Sequence, residues 1–378
     1  MTKKIVIDAR LYGPTKTGIG RYTQNLLLAL KKLPDFKKYD FHLIVNTADL
    51  SPIKKGLGKS FTYHPTNISH YSLLEQLVLP QFISQLKPDL VHFTHFNKPV
   101  LYSKTSVITI HDLIKHFYKG KETTTKNPFF YWPKYLIYRL ITEINIKKNY
   151  LIVPSNYWRN ILINRFGVHP RKITTIYEAV DPKFLPIHKS SVNKPACRQA
   201  GPKSYILYTG NLYPHKNIGV LFQALKEFPD LKLKIICARS IFSKQAETLA
   251  QKIGILSQVE FLGFVNDADF PQLYSHALCL VHPSFMEGFS LTGLEAMSLN
   301  CPVIAANSSC LPEVYGNSVL YFNPKSTTDL VNQINRLRSD QKLRSQLIEL
   351  GHLQLKKYSW EKTATVTLNV YEKILNKS

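Results

Sequence analysis

Short apolar, β-branched runs alternate with amphipathic stretches along most of the chain. In the first half the runs are 5–11, 41–46, 90–95, 107–113, 151–155 and 173–180. Between them lie helical patterns at 22–33, with Leu26, Leu27, Leu30 and Leu33 on one face, and at 73–86. Strand followed by helix, repeated, predicts a parallel sheet covered by helices. The alternation lapses over 185–204, which holds three prolines and little periodicity and reads as a connection. It resumes with runs at 205–210, 233–238, 259–264, 278–283, 303–306 and 319–322. A final pattern over 360–375 predicts a separate helix. The expected organisation is therefore a first α/β domain over 1–185, a connection over 186–204, a second α/β domain over 205–358 and a terminal helix over 359–378. Ligands of open α/β sheets bind beyond the carboxyl ends of the strands, so two facing halves would hold a ligand in the cleft between them.

Composition adds exclusions. The 378 residues are 44% hydrophobic and 20% charged, enough for substantial cores and unlike a disordered or fibrous chain. No apolar run reaches the ~18 residues that span a bilayer. Asp8 interrupts the first apolar run before a signal-peptide core forms, so a cytoplasmic location is expected. Five scattered cysteines (Cys197, Cys237, Cys279, Cys301, Cys310) offer no Cys-x-x-Cys, hence neither a disulfide framework nor a zinc site. Charge is uneven: the net is +24, of which residues 1–190 carry +18 and the rest +6. Such a field attracts phosphorylated ligands, anionic lipid or nucleic acid, and equally keeps a chain soluble.

Four places can carry chemistry. Gly13-Pro-Thr-Lys-Thr-Gly18-Ile-Gly20 follows the first strand and precedes a helix, where glycines let backbone N–H groups approach an anion. Thr23 stands where a dinucleotide fingerprint needs its third glycine, and no Walker sequence is present. Gly210-Asn211-Leu-Tyr-Pro-His-Lys216-Asn217 repeats the arrangement in the second half, with Lys216 suited to phosphate. The segment from His282 to Ser298 runs from a strand through Glu287-Gly288-Phe289-Ser290 into a helix with Leu291, Thr292 and Glu295. Glu295 could hold a vicinal diol. Thr292-x-x-Glu295 also has the spacing of a capping box, which by itself would explain the carboxylate. His111, in Thr109-Ile-His111-Asp112, sits at a strand end where it could hydrogen-bond a sugar hydroxyl or share a proton.

Together these residues resemble glycosyltransferase family 4, the retaining nucleotide-sugar transferases of GT-B fold: two Rossmann-like α/β/α domains facing across a cleft, with a C-terminal helix crossing back to the first. Glu287 and Glu295 match the family's Glu-x7-Glu, within His282-Pro-Ser-x-x-Glu-Gly-Phe and before Pro302-Val-Ile. His111-Asp112, Gly18-Ile-Gly20, Val153-Pro-Ser155 and the Trp360 helix match further segments. The resemblance implies catalytic roles for His111 and Glu287, with Glu287 on the donor sugar. It implies donor binding by Gly18, Gly20, Gly210, Asn211, Lys216, Gly288, Phe289, Ser290, Leu291, Thr292 and Glu295, with Lys216 on the diphosphate and Glu295 on the ribose. It implies no metal or other cofactor. Two departures stand out: Asn211 replaces a frequent arginine, and Glu178-Ala179 replaces a frequent Asn-Gly before Val180-Asp181.

The expected partners are a nucleotide-diphosphate sugar and a glycan or lipid-linked acceptor of the cell envelope. GDP-mannose is slightly preferred over UDP-sugars, from the Gly-Asn-Leu-x-Pro-x-Lys-Asn loop. A nucleotide-sugar 2-epimerase would lack the paired glutamates. No nucleic-acid recognition motif accompanies the positive charge, so no nucleic acid is expected. The stretch from Pro128 to Ile141, with Lys115, Lys119, Lys121 and Lys126 before it, mixes aromatics and lysines in a way that suits an anionic membrane surface. Tyr135, Ile137, Leu140 and Ile141 also fit the buried face of a sheet-covering helix.

Overall fold

The computed structural model describes residues 2–125, 127–185, 205–238 and 240–377. The expected connection 186–204, with Cys197, and also Lys126, lie outside the described residues. The chain divides into two compact units. The first comprises Met1–Leu113, Trp132–Glu178 and Tyr358–Ser378; the second comprises Ile114–Tyr131 and Ala179–Lys357.

In the first unit seven parallel strands run β1 Lys3–Asp8, β2 Tyr39–Asn46, β3 Thr62–Thr66, β4 Leu90–Phe93, β5 Ser106–Thr109, β6 Tyr150–Val153 and β7 Ile173–Thr175. Their order in the sheet is β3-β2-β1-β4-β5-β6-β7. Central strands read as unbroken apolar runs because helices cover both faces: Ile5, Val6, Ile7, Leu90, Val91, Val107 and Ile108 are all buried. The edge strand β3, Thr-Tyr-His-Pro-Thr, carries no such run. Proline, which cannot donate to a ladder, is confined to edges like this one.

In the second unit six parallel strands run β8 Tyr205–Thr209, β9 Lys232–Ile236, β10 Val259–Gly263, β11 Leu280–His282, β12 Val303–Ala306 and β13 Leu320–Phe322. Their order is β10-β9-β8-β11-β12-β13. Both sheets reverse direction of winding beside their first strand, between β1 and β4 and between β8 and β11. The loops leaving the carboxyl ends of that central pair diverge above and below the sheet and leave a crevice for a ligand.

Helix α1, Thr17–Leu30, buries Leu26, Leu27 and Leu30 against the first sheet. Gly18 and Gly20 lie in its opening turns rather than in a loop before it. A Cβ on Gly20 would stand 2.0 Å from the Gly13 carbonyl oxygen. That carbonyl belongs to the turn feeding the helix, closed by the Gly13 N–H donating to the Gly20 carbonyl at 3.1 Å. The glycine is thus demanded by close backbone approach.

The pattern over 73–86 forms two short helices, Leu73–Leu77 and Leu79–Gln85, instead of one. Pro80 lacks the N–H that a continuous helix would direct at the Gln76 carbonyl, and that break is where the chain turns. Helix α2, Pro128–Lys148, buries Tyr135 but leaves Ile137 58% and Leu140 63% exposed, so the apolar face expected to pack inward is only partly covered. Helix α3, Leu291–Ser298, follows β11, and helix α4, Trp360–Leu375, closes the first unit.

Helix α4 packs on α1 and buries Trp360, Ala364, Leu368, Tyr371 and Ile374. The Tyr371 hydroxyl meets His92 Nδ1 at 2.5 Å, and His92 Nε2 meets Thr109 Oγ1 at 2.8 Å. Burial first, and then the proximity of the His111 ring, push the His92 pKa down to about 3, so its ring is neutral and can donate at one nitrogen and accept at the other.

Replacing Gly20 by Ala should therefore shift the turn and cost ~1–3 kcal/mol of stability, the range of an overpacked site. Urea unfolding of the two proteins checks it: an unchanged midpoint would mean that the turn yields freely.

Candidate functional site

The second unit gathers its chemistry at the crevice between β8 and β11. After β8 the chain makes Gly210, at φ 145°, and a short 3-10 turn, Pro214–Lys216. Asn217 then takes the left-handed conformation, φ 55° and ψ 37°, which asparagine tolerates better than most residues. Its Nδ2 donates to the Pro283 carbonyl at 3.2 Å and the Pro324 carbonyl at 2.8 Å, tying together the loops after β8, β11 and β13. The Phe285 N–H donates to the His215 carbonyl at 2.8 Å, a second tie between the first two.

These ties set Lys216 opposite Glu287. The Lys216 Nζ donates to Oε1 at 2.7 Å and Oε2 at 2.8 Å of Glu287. His282, the last residue of β11, approaches Glu287 Oε1 with Nε2 at 2.8 Å. Burial alone would raise the Glu287 pKa, but the Lys216 charge and the His282 hydrogen bond outweigh it and hold the carboxyl well below the usual range. The site thus contains a buried carboxylate that is ionised at neutral pH. His215, buried beside Lys216, has its pKa pushed down to about 4, first by burial and then by that lysine.

A second layer orients the first. The Tyr315 hydroxyl contacts Ser290 Oγ at 2.6 Å and His282 Nδ1 at 3.2 Å, donates to the Ser290 carbonyl at 3.1 Å, and accepts from the Gly293 N–H at 3.1 Å. Ser290 Oγ also lies 3.1 Å from His282 Nδ1. The Glu287 N–H donates to Ser309 Oγ at 3.2 Å. Gly293 is required by this packing, because a Cβ there would fall 2.3 Å from the Tyr315 ring. Tyr315 and Ser309 carry no signal in the sequence, and Asn217 enters there only as the last residue of the loop motif, with no role attached. Gly293 within a helix was the one local sign that something large packs there.

The helix start answers the question left by Thr292-x-x-Glu295. Helix α3 begins at Leu291 and its N-cap is Ser290, held at φ 79° and ψ 76° with no side-chain capping bond. Thr292 is the second helical residue, so a Thr292–Glu295 capping box does not form. Glu295 is 7% exposed, one turn into α3. The N–H groups of the first turn, at Leu291 and Thr292, have no acceptor within the helix. Gly288, Phe289 and Ser290 form the bend that leads into it, with Phe289 buried. In the loop after β8 the Asn211 carbonyl accepts from the Tyr208 hydroxyl at 2.5 Å.

The first unit holds the remaining candidates. Gly18 and Gly20 belong to α1, as described. His111 follows β5, with Nε2 3.0 Å from the Thr94 carbonyl and Nδ1 3.0 Å from Glu178 Oε1. Burial pulls its pKa down, but the Glu178 hydrogen bond and charge, the Thr94 carbonyl and Asp112 pull it up, and the upward pull wins. The Tyr22 ring packs edge-on at 4.6 Å. Glu178, one of the two departures noted in sequence, is therefore the partner of His111.

Two family models match the chain: Glycosyltransferase Family 4 over residues 16–184 and Glycosyl transferases group 1 over 193–354. Among curated proteins it is 28% identical to O-antigen chain mannosyltransferase B of Escherichia coli, over 94% of this chain and 96% of that protein. It is 27% identical to O-antigen chain mannosyltransferase RfbU of Salmonella typhimurium, over 88% and 91%. Among solved structures, sucrose-phosphate synthase from Thermosynechococcus elongatus superposes with a TM-score of 0.73 at 19% identity, covering 100% of both chains. Anabaena Alr3699/HepE in complex with UDP-glucose gives 0.71 at 17%, covering 98% of this chain and 99% of that one. These two share the fold, GT-B, with its pair of parallel-sheet α/β domains.

The Glu287 charge makes a signed prediction. A carboxyl whose pKa is depressed on folding stabilises fully above its unfolded value, and that contribution drains away as pH falls toward the folded value. Wild-type protein should lose stability progressively below about pH 4–5. Glu287→Gln, less stable at neutral pH by ~1–3 kcal/mol, should show a shallower acid decline. Chemical unfolding at several pH values checks it, and parallel acid slopes would show that Glu287 titrates normally.

Proposed function

This chain belongs to glycosyltransferase family 4, and we propose that it moves a mannosyl residue from GDP-mannose, with retention of anomeric configuration, to a glycan or lipid-linked acceptor of the cell envelope. The observation that carries the reading is the Lys216–Glu287 pair at the crevice of the second sheet, with Glu295 one turn into the adjoining helix. The two O-antigen mannosyltransferase relatives, similar over most of their lengths, support the sugar and the kind of acceptor.

In this reading the donor diphosphate sits over the start of α3, where unpaired N–H groups and the helix dipole favour an anion. The Lys216 ammonium has three N–H donors and gives two to Glu287, leaving the third for a phosphate oxygen. Glu295 accepts from the two ribose hydroxyls, and Glu287 from a hydroxyl of the sugar. The bond between the anomeric carbon and the diphosphate oxygen breaks as an acceptor hydroxyl attacks the same face. The hydroxyl proton passes to the departing diphosphate oxygen, so no protein base is needed. The reading calls for no metal, since Lys216 and backbone N–H groups supply the positive charge that stabilises the leaving group.

An acceptor carried in a membrane would suit the first unit. Leu73, Leu74, Leu77 and Val78 are exposed on and beside one short helix, and Leu136, Ile137 and Leu140 on α2. No described helix is long and apolar enough to cross a membrane. Exposed apolar side chains in a half that carries +18 fit peripheral contact with anionic lipid, where each basic residue adds ~1 kcal/mol.

A screen of nucleotide sugars tests the donor: GDP-mannose should be consumed fastest, and consumption of none would overturn the reading. Glu295→Ala should weaken donor binding roughly 10- to 150-fold, the worth of a charge-assisted hydrogen bond. A lower melting temperature with unchanged donor affinity would make Glu295 structural. The protein should co-sediment with phosphatidylglycerol vesicles at low salt and be released by high salt. Equal sedimentation with neutral vesicles, or none with either, would point to a soluble acceptor.

A further inference from the structure

His111 and Glu178 come from the carboxyl-side loops of β5 and β7, 67 positions apart, and meet inside the first unit. The ring's two contacts fix its protons. Nε2 faces the Thr94 carbonyl oxygen, which can only accept, so Nε2 carries a hydrogen. Nδ1 faces Glu178 Oε1, and although burial opposes a charged ring, the Glu178 hydrogen bond and charge with Asp112 raise the His111 pKa, which assigns a hydrogen to Nδ1 as well. A ring with both nitrogens protonated is an imidazolium. It has no lone pair with which to take a proton from an attacking hydroxyl, and both N–H groups are already spent inside the protein.

The other groups around the ring leave this assignment standing. Tyr22 of α1 presents a ring edge at 4.6 Å, and its hydroxyl is turned to Thr109 Oγ1 at 3.2 Å. His92 of β4 is neutral and bonded to Thr109 and Tyr371. Asp112, next in the chain, adds a further negative charge that favours the imidazolium. No other cation competes with His111 for Glu178 among the described ion pairs.

We infer that Glu178 is a positioning residue that holds His111 as a doubly donating imidazolium, so that the ring enters the transfer reaction already protonated and not as a proton acceptor. The inference rests on the glycosyl-transfer reading for its role in turnover, but not for the protonation of the ring. It assigns a purpose to the Glu178-Ala179 departure: a glutamate reaches the ring and favours its charged form, whereas an asparagine there is one methylene shorter and carries no charge. A ring that cannot take up a proton suits a reaction in which the departing diphosphate takes up the acceptor's proton itself.

Glu178→Gln separates charge from packing. The glutamine can give an N–H to Nδ1 while Nε2–H still donates to Thr94, so the ring stays in place as neutral imidazole. At pH 8 its kcat should fall about tenfold, with the donor KM changed less than about threefold. Activity should return toward wild type as pH falls below about 6 and the ring is protonated again, whereas wild type stays flat over that range. In a His111→Gln background, Glu178→Gln should add less than about twofold, because its effect passes through the missing ring.

Nitrogen NMR of the imidazoles, with His111 assigned by its absence in His111→Gln, should show both ring nitrogens protonated at pH 7.5 in wild type and one in Glu178→Gln. A neutral His111 in wild type, an equal loss of activity at every pH, or full additivity of the two substitutions would each overturn the inference. If no nucleotide sugar is turned over at all, the transfer reading fails, and the NMR measurement still decides the state of the ring.

Discussion

A carboxylate removed from water must be paired, and in the second unit that requirement falls on Glu287. Its partners come from two sides of the sheet's reversal: Lys216 from the loop after β8, His282 from the end of β11. The pairing holds only if both loops keep their shape. Asn217 in its left-handed conformation, the Tyr315 hydroxyl among Ser290, His282 and Gly293, and Ser309 beneath the Glu287 N–H all serve that end. Breaking the pair would leave a buried charge without compensation, so the local backbone strain at Asn217 and Ser290 persists because the ion pair over-determines it. The same interaction leaves the crevice charged and ordered before any ligand arrives, which lowers the reorganisation a charged substrate would demand.

Much of this was legible in the chain. Central strands with both faces covered are unbroken apolar runs, and edge strands such as β7 and β10 still carry β-branched or aromatic residues, so twelve of the thirteen strands stand out from sequence. The exception, Thr62–Thr66, is a polar edge strand that pairs with β2 through backbone hydrogen bonds and a His42–His64 side-chain contact at 2.7 Å, which no apolar run announces. The helical pattern over 73–86 was equally visible, but periodicity does not register that Pro80 removes a donor. The paired glutamates and Lys216 are findable because they sit beside glycines at strand ends. Tyr315 is not, nor is the pairing of Glu178 with His111, since each acts across a distance in sequence, 25 residues to Ser290 and 67 to His111, that no local pattern spans. The capping-box spacing of Thr292 and Glu295 shows the opposite hazard: a correct local pattern that the backbone does not use, because the helix is capped at Ser290, two residues before Thr292.

The two units solve the burial of polar groups differently. The second uses a charged cluster open to substrate chemistry. The first threads a chain of partners through its interior, from Tyr371 to His92 to Thr109 to Tyr22, whose ring packs on His111. Each hydroxyl or ring in that chain has a partner, the condition under which buried polar networks make a core more specific instead of weaker.

Helix α4 carries Tyr371 and Trp360 into that network from near position 370, although the rest of the first unit is complete by Glu178. Proteins emerge from the ribosome in chain order. The first unit therefore has its seven strands assembled long before the helix that covers α1 exists, and its apolar side chains at Ala364's docking face stay bare while some 180 further residues are made. The second unit, translated in between, finishes before the first does. A nascent chain of this kind passes through a stage in which the later-begun half is folded and the earlier one is still open, which makes the open half the natural client of chaperones during synthesis.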